Sequence, residues 1–254
     1  MKKIYFFLAT LLAVGFSACT EDIGLNVTPP ESYPQEAPQV IDGFTIVAGS
    51  DLSAALVITG EERELQVVRA TATPALAEGA TVVFRTEISD TQDFQNVVEL
   101  PTTSANNAAT ARSSDLSEAV KTLFNTKAPV AHTVYFRHYF YIQDGSAASM
   151  IPTPAMFNNS VTPYSNVVIE SAYYLIGDVN GWDMGGLDAY KFSHSTQDVY
   201  DDPIFSIIVQ MSGYFKIVPQ SGKDAANWDV VLGNPVDGNT DPEGTLGTGG
   251  DYGG

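Results

Sequence analysis

The chain holds two tryptophans, Trp182 and Trp228, and each stands beside Asn and Asp in a stretch rich in turn residues, "DVNGWD" and "NWDVVLG". Lys216 lies between them, directly after Tyr214 and Phe215 in "GYFKIVP". An indole presented at a turn offers a flat apolar face on which the C–H side of a pyranose can lie. Asn amides (Asn180 and Asn227), Asp carboxylates and the Lys216 ammonium supply donors and acceptors that orient sugar hydroxyls. The same indoles could also be core residues of a small sandwich, and residue type alone leaves both readings open.

Other chemistries find less support. No GxSxG, GxxxxGK[ST], HExxH or GxGxxG in a βαβ setting occurs in the chain. The stretch "DVNGWDMGGLDA" imitates a calcium loop through Asp178, Asn180 and Asp183, but it carries Asp183 where an EF-hand needs Gly and Ala189 where it needs a bidentate Glu. His132 and His138 have no Cys or His partner at ligand spacing, so neither a metal nor a cofactor is expected. A glycosidase needs two carboxyl groups fixed in a deep cleft, and nothing sets one pair apart from the 30 Asp and Glu. The expectation is a chain that is not an enzyme.

A net charge of −18, from 12 Lys and Arg against 30 Asp and Glu, sets the surface against nucleic acid and anionic lipid headgroups. With 44% hydrophobic and 17% charged residues, the composition is that of a globular protein. Lys2 and Lys3, the apolar residues 4–16 and the small-residue site "FSAC" form an export signal too short to span a bilayer. The one cysteine, Cys19, excludes an intrachain disulfide framework and is expected to be a modified N-terminal residue after removal of residues 1–18. Residues 19–38, with "NVTPPESYPQEAP", read as a flexible tether.

The elements that would position the aromatics follow from patterning. Runs such as "ALVITG", "ELQVVRAT", "ATVVFRTEI", "VYFRHYFYI" and "NVVIE", separated by Gly, Pro and Asp, predict a β-sandwich over residues 39–170. Apolar spacing predicts one helix over residues 114–124 that crosses from one sheet to the other, with Asp115 and Glu118 as its start signal. In "HTVYFRHYFYI" the aromatics fall on both parities, so each face of that strand needs cover, from the core or from a ligand. Arg137 among the tyrosines suggests a cation–π contact. A second unit over residues 171–254 is expected to place strands at residues 172–176, 204–210 and 213–219, with Trp228 opening another. Its Gly-rich tail, "DPEGTLGTGGDYGG", offers no closing strands, so the second sandwich is expected to be incomplete within this chain.

"YYLIGDVNGWD", "GYFKIVP", "NWDVVLG" and "DPEGTL" together resemble the carbohydrate-binding module of the SusE/SusF family of starch-utilisation outer-membrane lipoproteins of Bacteroidetes. "FSAC" resembles a lipobox, with Phe16 where Leu is commoner, and the "TED" after Cys19 resembles the surface-export signal of such lipoproteins. The resemblance implies an all-β chain: a lipoprotein signal peptide (1–18), a tether (19–38), an immunoglobulin-like sandwich with one crossing helix (39–170), and an incomplete carbohydrate-binding module (171–254). It implies no catalysis and no cofactor, but capture of starch, another α-glucan or a related polysaccharide at the cell surface. The partners it implies are a TonB-dependent importer and a SusD-like protein. Acylation of Cys19 by several chains would anchor the protein stably in the outer membrane, where one chain would not. Carried over by motif, Trp182 and Trp228 are the stacking pair and Lys216 a hydroxyl donor, with Asn227 and Tyr190 as further contacts. The alternatives from other classes are a surface protein-interaction lipoprotein with both indoles buried, and a glycosidase.

Overall fold

The computed structural model describes residues 37–210 and 212–248. The expected signal peptide, Cys19 and residues 19–36 of the tether lie outside the described residues. Among the described residues no helix is long and apolar enough to cross a membrane.

The strands of the first unit are β1 (Gln39–Ile41), β2 (Phe44–Ala48), β3 (Leu56–Val57), β4 (Glu64–Ala72), β5 (Thr81–Ser89), β6 (Val97–Leu100), β7 (Thr103–Ala105) and β8 (Ala108–Arg112). The helix α1 (Ser113–Phe124) follows, then β9 (His132–Asp144), β10 (Ala147–Met150) and β11 (Ala155–Thr162). They form two sheets, in the orders β1-β2-β4-β8-β7 and β3-β11-β9-β5-β6, with β10 paired to β9. The sheets share one core, in which the Phe44 ring of one meets the Phe140 ring of the other edge-on at 5.4 Å. α1 leaves β8 in the first sheet and leads to β9 in the second, as its spacing predicts, and buries Leu116, Ala119, Val120 and Leu123.

Local chemistry explains where the patterning holds and where it bends. β4 buries both Val67 and Val68, which strict alternation forbids, because a bulge shifts its register against β8 between Gln66 and Val68. The start of α1 is capped from a distance: Glu62 Oε1 accepts from the Ser113 hydroxyl at 3.1 Å and from Ser114 N at 3.4 Å. The Asp115–Glu118 signal predicted from sequence makes no side-chain cap there. On β9, Val134, Phe136, His138 and Phe140 face the core, while Tyr135, Arg137, Tyr139 and Tyr141 are half-buried on the outer face. That face is covered by its own chemistry. Arg137 lies 4.3 Å from the Phe94 ring and 5.3 Å from that of Tyr139, and Glu87 pairs with Arg137 at 2.7 Å and Arg85 at 3.0 Å. Core and outer ladder thus account for both parities without a ligand.

The second unit contains β12 (Tyr173–Gly177), β13 (Phe215–Pro219), the short helix α2 (Gln220–Ala225), β14 (Leu232–Gly233) and β15 (Gly247–Thr248), in one sheet of order β12-β13-β14-β15. A separate core gathers Ala172, Tyr174, Ile176, Leu187, Val218 and Val231, with Trp182 and Met184 packed against it. Three expectations are corrected. Residues 204–210 form no strand: Ile204 and Ile208 are exposed, and only Ser206 makes a bridge, to Ser193. "NVVIE" is likewise an exposed connector, with Val168 87% accessible. β propensity without a partner edge or a surface to cover does not make a strand. Trp228 opens a 3-10 turn, Trp228–Val230, rather than a strand.

Candidate functional site

β12 ends at Gly177, and the chain turns at once through a 3-10 segment, Asp178–Asn180. Asp178 organises the turn: its carboxylate accepts from the Trp182 indole N–H at 2.8 Å and from Tyr214 N at 2.9 Å. These bonds, that from Tyr214 first, hold the Asp178 pKa below the ordinary carboxylate value. Asn180 Oδ1 accepts from Gly177 N at 2.9 Å, and Gly181 at φ 65° and Trp182 at φ 62° complete the reversal. A tryptophan in the left-handed region carries backbone strain of roughly 1–2 kcal/mol, which the surrounding bonds must hold. Its ring is partly buried against the second core, with its N–H already satisfied. Tyr190, at the end of the 3-10 segment Met184–Tyr190, donates its hydroxyl to Val179 O at 3.2 Å and ties that segment back to the turn.

Trp228 is presented differently. Asn227 Oδ1 accepts from Asp229 N at 2.9 Å and caps the 3-10 turn that carries the indole, which is 47% exposed. Because β12 and β13 are antiparallel, with Tyr173 opposite Pro219 and Gly177 opposite Phe215, the two indoles lie beyond opposite ends of the strand pair. Trp182 and Tyr190 belong with the Gly177 end, near Lys216, which pairs with Ile176; Asn227 and Trp228 follow α2 at the other end. The structure therefore builds two aromatic positions rather than one adjacent pair.

Between β13, β14 and the segment 239–246 runs an open groove of about 360 Å³. Lys216 lines it with Phe215, Leu232, Asn234, Asn239, Asp241 and Glu243, while Trp182, Tyr190, Asn227 and Trp228 do not. Asn234 Oδ1 accepts from Val236 N at 2.9 Å and from Asn239 Nδ2 at 3.3 Å, and Asn239 Oδ1 accepts from Asp241 N at 2.8 Å. These Asx turns shape the wall of the groove. Phe215, 42% exposed, supplies an apolar face that the sequence reading did not assign. The signal was present in "GNPVDGN", whose two asparagines at turn positions are the residues that order the wall. Among the described residues no group of three His, Cys, Asp or Glu could hold a metal ion.

Comparisons with known proteins place these features in context. Residues 168–253 match the family model described as SusF, first starch specific CBM. The outer membrane protein SusF of Bacteroides thetaiotaomicron is 28% identical over 257 aligned residues, which cover 94% of this chain and 48% of that protein. The chain thus spans about half the length of the curated relative it matches. The crystal structure of SusF from the same organism is similar at 16% identity and a TM-score of 0.42, over 83% of this chain and 46% of that one. In sequence the chain is similar to SusF over most of its length, and its match to the starch-specific module falls on the unit that carries both tryptophans.

Proposed function

We propose that residues 168–253 bind starch, another α-glucan or a related polysaccharide, without catalysis. The protein is then a lipoprotein anchored through Cys19 to the outer membrane and exposed at the cell surface. It delivers glycan to a Sus-type uptake system with a TonB-dependent importer and a SusD-like protein. One observation carries the reading: the unit with the exposed indole and the amide-lined groove is the one that matches a starch-specific module. Trp228 stacks on a pyranose face through its exposed ring, with Asn227 setting the turn that presents it. Trp182, its ring held by Asp178 and the core, and Tyr190, tied by its hydroxyl to Val179 of the same turn, form a second contact at the other end of the sheet. Lys216 and the groove amides bind hydroxyls. Two weak contacts on one surface bind collectively when a single polymer spans both, because the second contact forms at high effective concentration.

Affinity electrophoresis through amylopectin tests this reading. Trp228→Ala is expected to lower affinity about tenfold, roughly 1.4 kcal/mol, with the fold retained because the ring lies outside the core. Lys216→Ala should weaken retention less. A wild-type protein that migrates unretarded through amylopectin, glycogen and other neutral polysaccharides alike would overturn the reading. One observation favours the protein-interaction alternative: the Trp182 ring is partly buried and its N–H is engaged. The structure corrects the expectation of two buried indoles on that reading, since Trp228 is 47% exposed; what then marks it is that no glycan changes the emission of either tryptophan.

A further inference from the structure

The two cores share no residue: the first includes nothing beyond Val161 and the second nothing before Ala172. Where α1 ends, the units face each other across a groove of about 630 Å³ in which every lining side chain is polar or charged, among them Lys121, Asn125, Gln197 and Asp198. The groove itself contributes no apolar burial to this seam, since every side chain that lines it is polar or charged. Directional bonds cross it instead. Asp201, at the end of the turn built on Asp198, points its carboxylate at the reversal after α1. Its Oδ2 accepts from the Thr126 hydroxyl at 2.8 Å and its Oδ1 from Lys127 N at 2.6 Å. Thr126 Oγ1 in turn accepts from Ala128 N at 3.1 Å, so the receiving loop is itself braced. The neighbouring Tyr200 hydroxyl accepts from Ile169 N of the connector at 3.5 Å.

We infer that Asp201 is a two-pronged latch that sets the angle of the C-terminal unit on the sandwich, and that the connector of residues 163–171 is the hinge it restrains. Charge-assisted bonds from two donors to one carboxylate are short and strongly oriented, as a latch requires. Each unit keeps its own core, so releasing the latch alters orientation and leaves both folds standing. The consequence is mechanical: a glycan-binding face held at a set angle to the sandwich presents ligand in one direction, and a released one sweeps a range. The latch does not depend on which glycan is bound.

Distance measurement between spin labels tests it, with labels at Val57→Cys and Val236→Cys, two exposed positions on the separate units, in the chain carrying Cys19→Ser. Asp201→Ala is expected to widen the distance distribution at least twofold. Thr126→Val, which removes one prong and leaves the Lys127 N–H bond, should widen it less. Retention by amylopectin should be the same for both variants as for the parent, because Asp201 and Thr126 lie outside the groove of Lys216 and outside both Trp turns. Distributions as narrow as the parent's in both variants would overturn the latch, as would equal broadening in Thr126→Val and Asp201→Ala.

Discussion

Lowering the pH from 7 to 4.5 is expected to remove about 3 kcal/mol of stability through a single residue, His138. Its side chain is fully buried in the sandwich between the rings of Phe136 and Phe157. Nδ1 is hydrogen-bonded with Thr86 Oγ1 at 3.0 Å, and Nε2 has no partner. Burial with no anion to offset it disfavours the imidazolium and pushes the pKa from 6.5 down to about 3. The sign follows. The unfolded chain takes up a proton as pH falls below 6.5, while the folded protein does not until about pH 3. The stability gained by keeping the ring neutral is fully present above pH 6.5 and is lost progressively down to about pH 3. By pH 4.5 two of those pH units have been traversed, before most carboxylates titrate. Urea unfolding followed by circular dichroism between pH 7.5 and 4.5 measures the slope. Replacing the pair by His138→Leu with Thr86→Val, which leaves no hydroxyl unpartnered, should flatten it. An unchanged slope in that double variant would assign the acid sensitivity to other groups.

Gly177→Ala is expected to dismantle the C-terminal sheet while the sandwich survives. A Cβ at Gly177 would stand 2.2 Å from Tyr214 O and 2.8 Å from Phe215 Cα, both backbone atoms that cannot swing aside. The strands must part where Gly177 pairs with Phe215, and Asp178 then loses the Tyr214 N–H that anchors the Trp182 turn. An overpacking cost of roughly 3 kcal/mol or more falls on a small core. Because the two cores are separate, calorimetry should show the C-terminal transition lowered or absent and that of the sandwich unmoved. Retention by amylopectin should vanish with it, far beyond the roughly tenfold effect of Trp228→Ala. A single unshifted transition would mean that the strands accommodate the methyl group or that the units unfold together.

What the sequence determined by itself is the material that depends on neighbours in the chain. Short β-like runs punctuated by Gly, Pro and Asp and the 3.6-residue spacing of α1 are local, and they found the all-β sandwich with its crossing helix. Asn180-Gly181 before Trp182 marked a turn because only certain residues tolerate its dihedral angles. The motifs in the last third pointed to the unit that matches the starch-specific family model.

Only the tertiary structure decided how those parts face one another. Residues 204–210 have the β-branched composition of a strand but only a single bridge, since pairing requires an available edge that composition does not report. The bulge that turns both Val67 and Val68 inward depends on the register of β4 against β8, set by residues some 40 positions away. The separation of Trp182 from Trp228 is a consequence of antiparallel pairing: two similar motifs at the ends of successive strands emerge at opposite ends of the sheet. The groove of Lys216 exists because β13 and β14 pair and the segment 239–246 folds back toward them. Local preferences act over a few residues and are written in the chain; edges, registers and seams arise only when distant segments compete for the same surface.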